Sequence, residues 1–314
     1  MTGWLGQADG DPLVTTVTGR TATTGSTGRA GRVRRAGPGG PVRVHVWPGE
    51  TGRPVLLALH TRLEGGGVFG PLAAALGRRW TVVAPDAPGH GGTGWTPSAV
   101  YALDDQVPGA LAVLDALPVV AGRQAPVVVL GHGTGAPAAA SLAAARPRVV
   151  RHLVLEDPAG TTSRARRDPL PQRRLLRRWQ ALDLPDRVAG ARAAHPDWPA
   201  DELLPWAAAA SEVDPAALRV PTVWGAGLGQ RLAPVRVPVL LVRGDRVRGA
   251  AVSAAGAARV AVACRGGCRV LAVDAGPDPR RQARDPYVRE LAVLLERYDA
   301  PVRKRSARSQ PVRV

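Results

Sequence analysis

The chain has 314 residues, 45% of them hydrophobic, with 42 Lys and Arg against 25 Asp and Glu, a formal net charge of +17. That is enough chain for one large domain with an insertion, no apolar stretch is long enough to span a bilayer, and aromatics at 4% are too few for the stacking platforms of a single-strand binder. Isoleucine and asparagine are absent and Lys304 is the only lysine, a compositional bias that weakens any inference from arginine number alone.

In chain order, residues 1–40 are rich in Gly, Thr and Arg and read as a flexible basic lead. The opening Met1-Thr2-Gly3-Trp4-Leu5-Gly6-Gln7 lacks the basic and apolar regions of a signal peptide, so the expected location is cytoplasmic. From Val42 the pattern changes. Val42, Val44 and Val46 alternate with Arg43 and His45, and buried strands are predicted near residues 54–60, 80–85, 126–131 and 152–157. Short apolar strands separated by helical stretches are the sequence form of a mostly parallel sheet covered on both faces, an α/β fold. Residues 158–232 break that rhythm with helical segments and prolines, and read as an inserted helical unit. The strand and helix pattern resumes near residue 237 and closes with a helix predicted over 285–298. The core is therefore expected over 41–157 and 233–300, with a basic, disordered tail over 301–314.

Two cysteines, Cys264 and Cys268, flank Arg265-Gly266-Gly267 before the last predicted strand. A metal site would need two further ligands at suitable spacing, and none is present, so free thiols in a turn are expected. Within the insertion, Gln172-Arg173-Arg174-Leu175-Leu176-Arg177-Arg178-Trp179-Gln180-Ala181-Leu182 is amphipathic: Leu175, Leu176, Trp179 and Leu182 are placed on one side of a helical wheel and the arginines on the other. Such a helix, with the basic ends of the chain, offers a route to an anionic membrane or to nucleic-acid phosphates. The simpler reading is preferred, a helix that covers a pocket and solvates its arginines.

The most specific signal is Gly131-His132-Gly133-Thr134-Gly135, set between the apolar run 126–130 and an alanine-rich helix. Strand, tight turn and helix in this order resemble a nucleophile elbow, G-x-S-x-G, with glycine at the centre where serine is expected. Leu56-Leu57-Ala58-Leu59-His60 resembles the strand that runs into an oxyanion loop, with Thr61 where glycine is usual. Ala84-Pro85-Asp86-Ala87-Pro88-Gly89-His90-Gly91 is similar to a D-x-P-G-x-G loop, and apolar strands follow at 152–157, 237–243 and 269–273. Together these segments resemble the α/β-hydrolase family, specifically serine esterase and lipase-like members with a helical cap, over residues 42–300.

The resemblance implies a Ser, acid, His triad in that chain order. Carried over position by position, the nucleophile position holds Gly133; the acid position, three residues past Gly244, holds Val247; and the base position holds Pro277. The six histidines are His45, His60, His90, His132, His152 and His195, so none follows the last strand. Asp157, beside Glu156, is the candidate residual acid. Thr134 is one residue past the apex and is not expected to act as nucleophile. Glycine relieves the backbone strain that a non-glycine apex carries, on the order of 1 to 3 kcal/mol.

What the resemblance leaves is an oxyanion hole formed by the Thr134 N–H and a second donor from the loop after His60, Thr61 or Arg62. His60, Asp86, His132 and Trp179 are expected around the pocket, with Asp86 ordering its loop and the segment His195-Pro196-Asp197-Trp198-Pro199 packing the cap. The expected function is that of a pseudo-hydrolase binding a small, partly apolar carbonyl or carboxylate ligand, with no cofactor and no metal. The alternatives are a weak hydrolase or lyase using His60, Asp86 or His132, and a basic adaptor for membrane or nucleic acid.

Overall fold

The computed structural model describes residues 13–18, 21–23, 41–50, 52–94, 105–121, 126–160, 170–218 and 228–297. Among the described residues nine strands form one sheet: β1 (Leu13–Thr18), β2 (Thr21–Thr23), β3 (Val42–Trp47), β4 (Val55–Leu59), β5 (Thr81–Pro85), β6 (Val127–His132), β7 (Val150–Glu156), β8 (Val239–Arg243) and β9 (Cys268–Ala272). Their order is β2-β1-β3-β5-β4-β6-β7-β8-β9. From β5 to β9 every pairing is parallel, whereas β1, β2 and β3 pair antiparallel at the other edge. The α/β expectation therefore holds.

The central strands are buried on both faces, which is why they read as unbroken apolar runs. Alternate residues divide the core. Leu57, Val129, Leu153 and Leu241 pack in one cluster with α2 (Gln106–Ala121) and α3 (Gly135–Ala145); Leu56, Val128, Val154 and Leu240 pack in the other with α1 (Gly70–Leu76) and the closing helix at Leu291, Leu294 and Leu295. A leucine enclosed this way contributes about 2 to 3 kcal/mol, so these side chains fix which strand ends meet at the carboxyl edge.

Three inserted helices follow β7: α4 (Leu170–Gln180), α5 (Leu184–Ala194) and α6 (Ala200–Ser211). Asp183 caps α5 by accepting from the Asp186 N–H, 2.8 Å away. The insertion carries small cores of its own. In one, Trp179 and Trp206 meet edge to face, with ring centres 5.1 Å apart, and His195 stacks on Trp198 at 3.9 Å. In the other, Leu176, Val213 and Leu218 are buried together and the partly buried Leu63 packs against them. Then come α7 (Leu228–Leu232), α8 (Ala254–Ala263), α9 (Pro279–Gln282) and α10 (Arg284–Glu296). Although the sequence reading assigns α7 to the insertion, Leu228 and Leu232 belong to the α3-side core. Among the described residues no helix is long and apolar enough to cross a membrane.

The lead also departs from expectation. Leu13–Thr18 and Thr21–Thr23, inside the stretch read as flexible, are paired strands, with β1 in register against β3 from Leu13↔Val46 to Val17↔Val42. Val17 and Thr15 are buried there, an alternation that the surrounding Gly and Thr conceal. The rest of the lead and the 301–314 tail lie outside the described residues. Removing residues 1–40 strips this edge from β3, so the shortened chain is expected to melt roughly 5 °C below the full chain. A calorimetric scan of both chains checks this.

Candidate functional site

At the carboxyl edge of the sheet, β6 ends in His132 and the chain reverses into α3 through Gly133, whose φ is +51°. The Gly133 N–H donates to Glu156 O at 2.9 Å, and Ala159 N–H donates back to Gly133 O at 2.9 Å. This apex is thus sewn to the end of β7. Gly135 lies so close to the β4 end that an added Cβ would sit 2.7 Å from His60 O, so the glycine-flanked turn has a steric basis.

Directly opposite the apex is Thr61. A Cβ placed on Gly133 would collide with Thr61 Oγ1 and lie 2.9 Å from Thr61 Cβ. Thr61 Oγ1 accepts the Thr134 N–H at 3.1 Å and is 3.3 Å from Thr134 Oγ1. The expectation of an open oxyanion hole is therefore corrected, because its elbow donor is already engaged by a side chain of the same protein. Arg62, the other loop residue expected at the hole, reaches away to Gln172 Oε1 on α4, with Nη1 donating at 3.0 Å. Trp179 is also displaced from its expected place on the pocket wall: it packs on Trp206 and against Gly190 within the insertion.

His60 and Asp86 build the loops around the apex. Ala87 N–H donates to His60 Nε2 at 2.9 Å, so the ring proton is on Nδ1, which donates to Thr61 O at 2.7 Å. Burial pushes His60 below the ordinary histidine value, keeping it neutral. Asp86 accepts from the N–H groups of Gly66 at 2.6 Å and Gly92 at 2.9 Å, and pairs with His45 Nε2 at 3.2 Å. Burial works against its charge, yet the His45 and Gly66 hydrogen bonds hold its carboxyl below the usual range.

His132 points into a cluster of buried charge. Its Nδ1 lies 3.5 Å from Glu64 Oε2, while its Nε2 donates to Pro277 O at 3.1 Å, 3.8 Å from Asp278 Oδ1. Arg280 binds both oxygens of Glu156 at 3.2 Å and approaches Glu64 at 3.6 Å. Arg281 binds Glu64 at 2.7 Å, Asp278 at 2.6 Å and Glu202 of α6 at 3.2 Å. Arg284 completes the set on Glu202 at 2.7 Å, and Tyr287 donates to Glu156 at 3.2 Å. The guanidinium of Arg280 stands over Phe69 and that of Arg281 over Trp198. Five carboxylates, Glu64, Glu156, Asp201, Glu202 and Asp278, pair with the three guanidiniums. His132 faces the carboxylates of Glu64 and Asp278, which favour a proton on its ring. Burial opposes that proton, but Glu156 and the Glu64 hydrogen bond outweigh it, and His132 sits above the ordinary histidine value.

Glu64, His132 and Asp278 bring three potential ligand atoms within 4.8 Å of one another. Arg281 already occupies the space between the two carboxylates as their cation, so the donor set suits a guanidinium better than a metal ion. Glu64, Glu202, Arg280 and Arg281 escape sequence reasoning, since no motif joins residues this far apart.

The remaining expected positions are scattered. Val247 is 93% exposed in the turn after β8. Pro277 contributes its carbonyl to His132. Asp157, with φ +35°, accepts from the N–H groups of Ala251 at 2.7 Å and Val252 at 3.1 Å, and burial raises its carboxyl to about 6. Of the expected apolar side only Leu176 is buried; Leu175 and Leu182 are exposed, as are Arg174, Arg177 and Arg178. Cys264 and Cys268 are both free.

Residues 51–248 match the family described as Serine aminopeptidase, S33. Lipase LipV of Mycobacterium tuberculosis is 38% identical over 123 residues, 39% of this chain and 40% of the lipase. Serine hydrolase-like protein of Danio rerio is 34% identical over 124 residues, 39% of this chain and 36% of that protein. The chain thus spans about two fifths of the length of these curated relatives. Among solved structures, E-2-(acetamidomethylene)succinate hydrolase superposes with a TM-score of 0.64 at 22% identity, covering 82% of this chain and 95% of that one. The enol-lactonase from Burkholderia xenovorans LB400 gives 0.61 at 20% identity, covering 81% and 97%. These two share the fold. With strand order, elbow and sequence match in agreement, the chain belongs to the serine aminopeptidase family of α/β-hydrolases.

Proposed function

We propose that this chain is an α/β-hydrolase family member that has given up acyl transfer and acts by binding a small, partly apolar carbonyl or carboxylate compound. One observation carries the reading: the apex of the elbow is Gly133, and the space a nucleophile's Cβ would fill is taken by Thr61. Acyl transfer by this fold needs a hydroxyl at the apex, a base to take its proton and a free N–H for the developing oxyanion. His132 is the nearest imidazole by sequence, but its Nε2 is given to Pro277 O, its Nδ1 faces Glu64, and its pKa lies above the ordinary histidine value, which weighs against a role as base. His60 is fully engaged through both ring nitrogens, and Asp86 is spent on backbone amides. These engagements weigh against the weak-hydrolase reading. The names of the relatives, a lipase and an enol-lactonase among them, support a carbonyl-bearing ligand class.

A second reading draws on the outer face of α4. Leu175, 47% exposed, lies in a helix with exposed Arg174, Arg177 and Arg178 and no acidic residue, a surface suited to an anionic membrane. Sedimentation with phosphatidylserine vesicles at low and high salt separates this from the ligand-binding reading: salt-sensitive binding lost on replacing these arginines supports it.

Removing triad members from a serine protease lowers turnover about a millionfold. This protein is accordingly expected to give no saturable hydrolysis of p-nitrophenyl acetate or butyrate. Saturable turnover that Gly133→Val abolishes would overturn the proposal. The His132 assignment has its own test. Its folded value lies above the unfolded one, so its stabilising contribution is complete below the ordinary histidine value of 6.5 and is lost as pH rises through the raised value. Urea midpoints measured from about pH 6 to about pH 9 should fall with pH in the wild type. In His132→Gln that slope should be shallower, with the largest destabilisation at the acid end.

A further inference from the structure

Thr61 and Gly133 stand 72 residues apart in sequence and fit each other as a pair. Thr61 fills the volume beside the apex with its γ atoms, and its hydroxyl is the acceptor for the first free amide of the elbow, that of Thr134. Neither residue makes sense alone. A threonine here beside a serine apex would drive Oγ1 into the serine's Cβ, while a glycine here beside a glycine apex would leave the Thr134 N–H without this acceptor.

The loop that carries Thr61 is also tied to the insertion at two points. Arg62 donates to Gln172 Oε1 on α4 at 3.0 Å, and Leu63, held at φ +69°, packs against the cluster of Leu176, Val213 and Leu218. A leucine at positive φ is strained and persists only where its surroundings hold it. Here the holder is the apolar cluster under α4.

We propose that Thr61 is an internal plug of the elbow, an autoinhibitory contact held shut by the inserted helices through Arg62 and Leu63. It rests on the reading above that the apex carries no nucleophile. With the insertion seated, the Thr134 amide is closed to any external oxygen; displacing α4 draws the 61–63 segment away and frees it.

The pairing is tested by a double-mutant cycle on the full chain. Gly133→Ser alone should lower the melting temperature, and adding Thr61→Gly should restore at least about half of the loss, because the added Cβ no longer meets a neighbour. Additive effects would overturn the plug. Should Gly133→Ser not fold, amide exchange at Thr134 reads the same contact: Thr61→Val keeps the shape without the acceptor and should raise the exchange rate about tenfold. Gln172→Ala should raise it in the same direction. An unchanged Thr134 rate in Thr61→Val would overturn the plug, and an unchanged rate in Gln172→Ala would overturn its link to the insertion. Because neither readout is turnover, discovery of hydrolase activity would remove the proposed function and leave this result standing.

Discussion

Two guanidiniums buried at the carboxyl edge of the sheet constrain everything around them. Arg280 and Arg281 are each 1% exposed, and a charge so enclosed is tolerated only when paired and hydrogen-bonded on several sides. The partners come from separate parts of the chain: Glu64 from the loop after β4, Glu156 from the end of β7, Asp278 from the turn before α9 and Glu202 from α6. Glu156 is the carboxylate that binds Arg280 through both oxygens, and removing it would leave that buried guanidinium with only the 3.6 Å approach to Glu64, at a cost of about 3 to 5 kcal/mol. The loop, the strand end, the last turn and the insertion are therefore positioned by one set of contacts. That set lies beside the elbow, with His132 shared between the two.

This sharing bears on the proposal that His132 does not transfer protons. A catalytic base needs one nitrogen free to accept, while its other nitrogen is oriented by an acceptor. In His132 the Nε2 side is given to Pro277 O and the Nδ1 side faces the Glu64 carboxylate, so both nitrogens look at acceptors and the ring's pKa is raised. Pro277 matters for its carbonyl. Proline fixes its own φ and has no N–H to offer, which leaves its oxygen as the group the turn presents to the imidazole.

The parts of the fold visible in the sequence were those with a local cause. Central strands buried on both faces must be continuously apolar, so 55–59, 81–85 and 127–132 stand out as runs. The elbow is visible because its glycines answer to close backbone approach. Contacts between distant residues leave no such trace: Arg281 and Glu64 are 217 residues apart, and each reads alone as an ordinary surface charge. Composition misled at β1, where Leu13, Thr15 and Val17 carry a two-residue alternation amid Gly and Thr that suggested a flexible segment. The helical wheel misled at α4 for a different reason. A wheel assigns one apolar side, but Leu176 is claimed by Leu63, Val213 and Leu218, and Leu175 is left facing outward.

Position-by-position comparison shows what occupies a catalytic place, and only packing shows what that place now does. Gly133 in isolation is a missing side chain. Beside Thr61 it is half of a contact in which the hydroxyl, absent from the apex, reappears from the facing loop and satisfies the amide left next to it. A buried N–H without an acceptor costs about 1 to 3 kcal/mol, so an elbow without a ligand is steadier with this hydroxyl in place. The same loop continues through Leu63 into the apolar cluster under α4 and through Glu64 into the ionic cluster on Arg281. Residues 61 to 64 thus touch the elbow, the insertion and the buried charges within four positions. Any ligand that reaches the elbow must displace a segment held from all three sides.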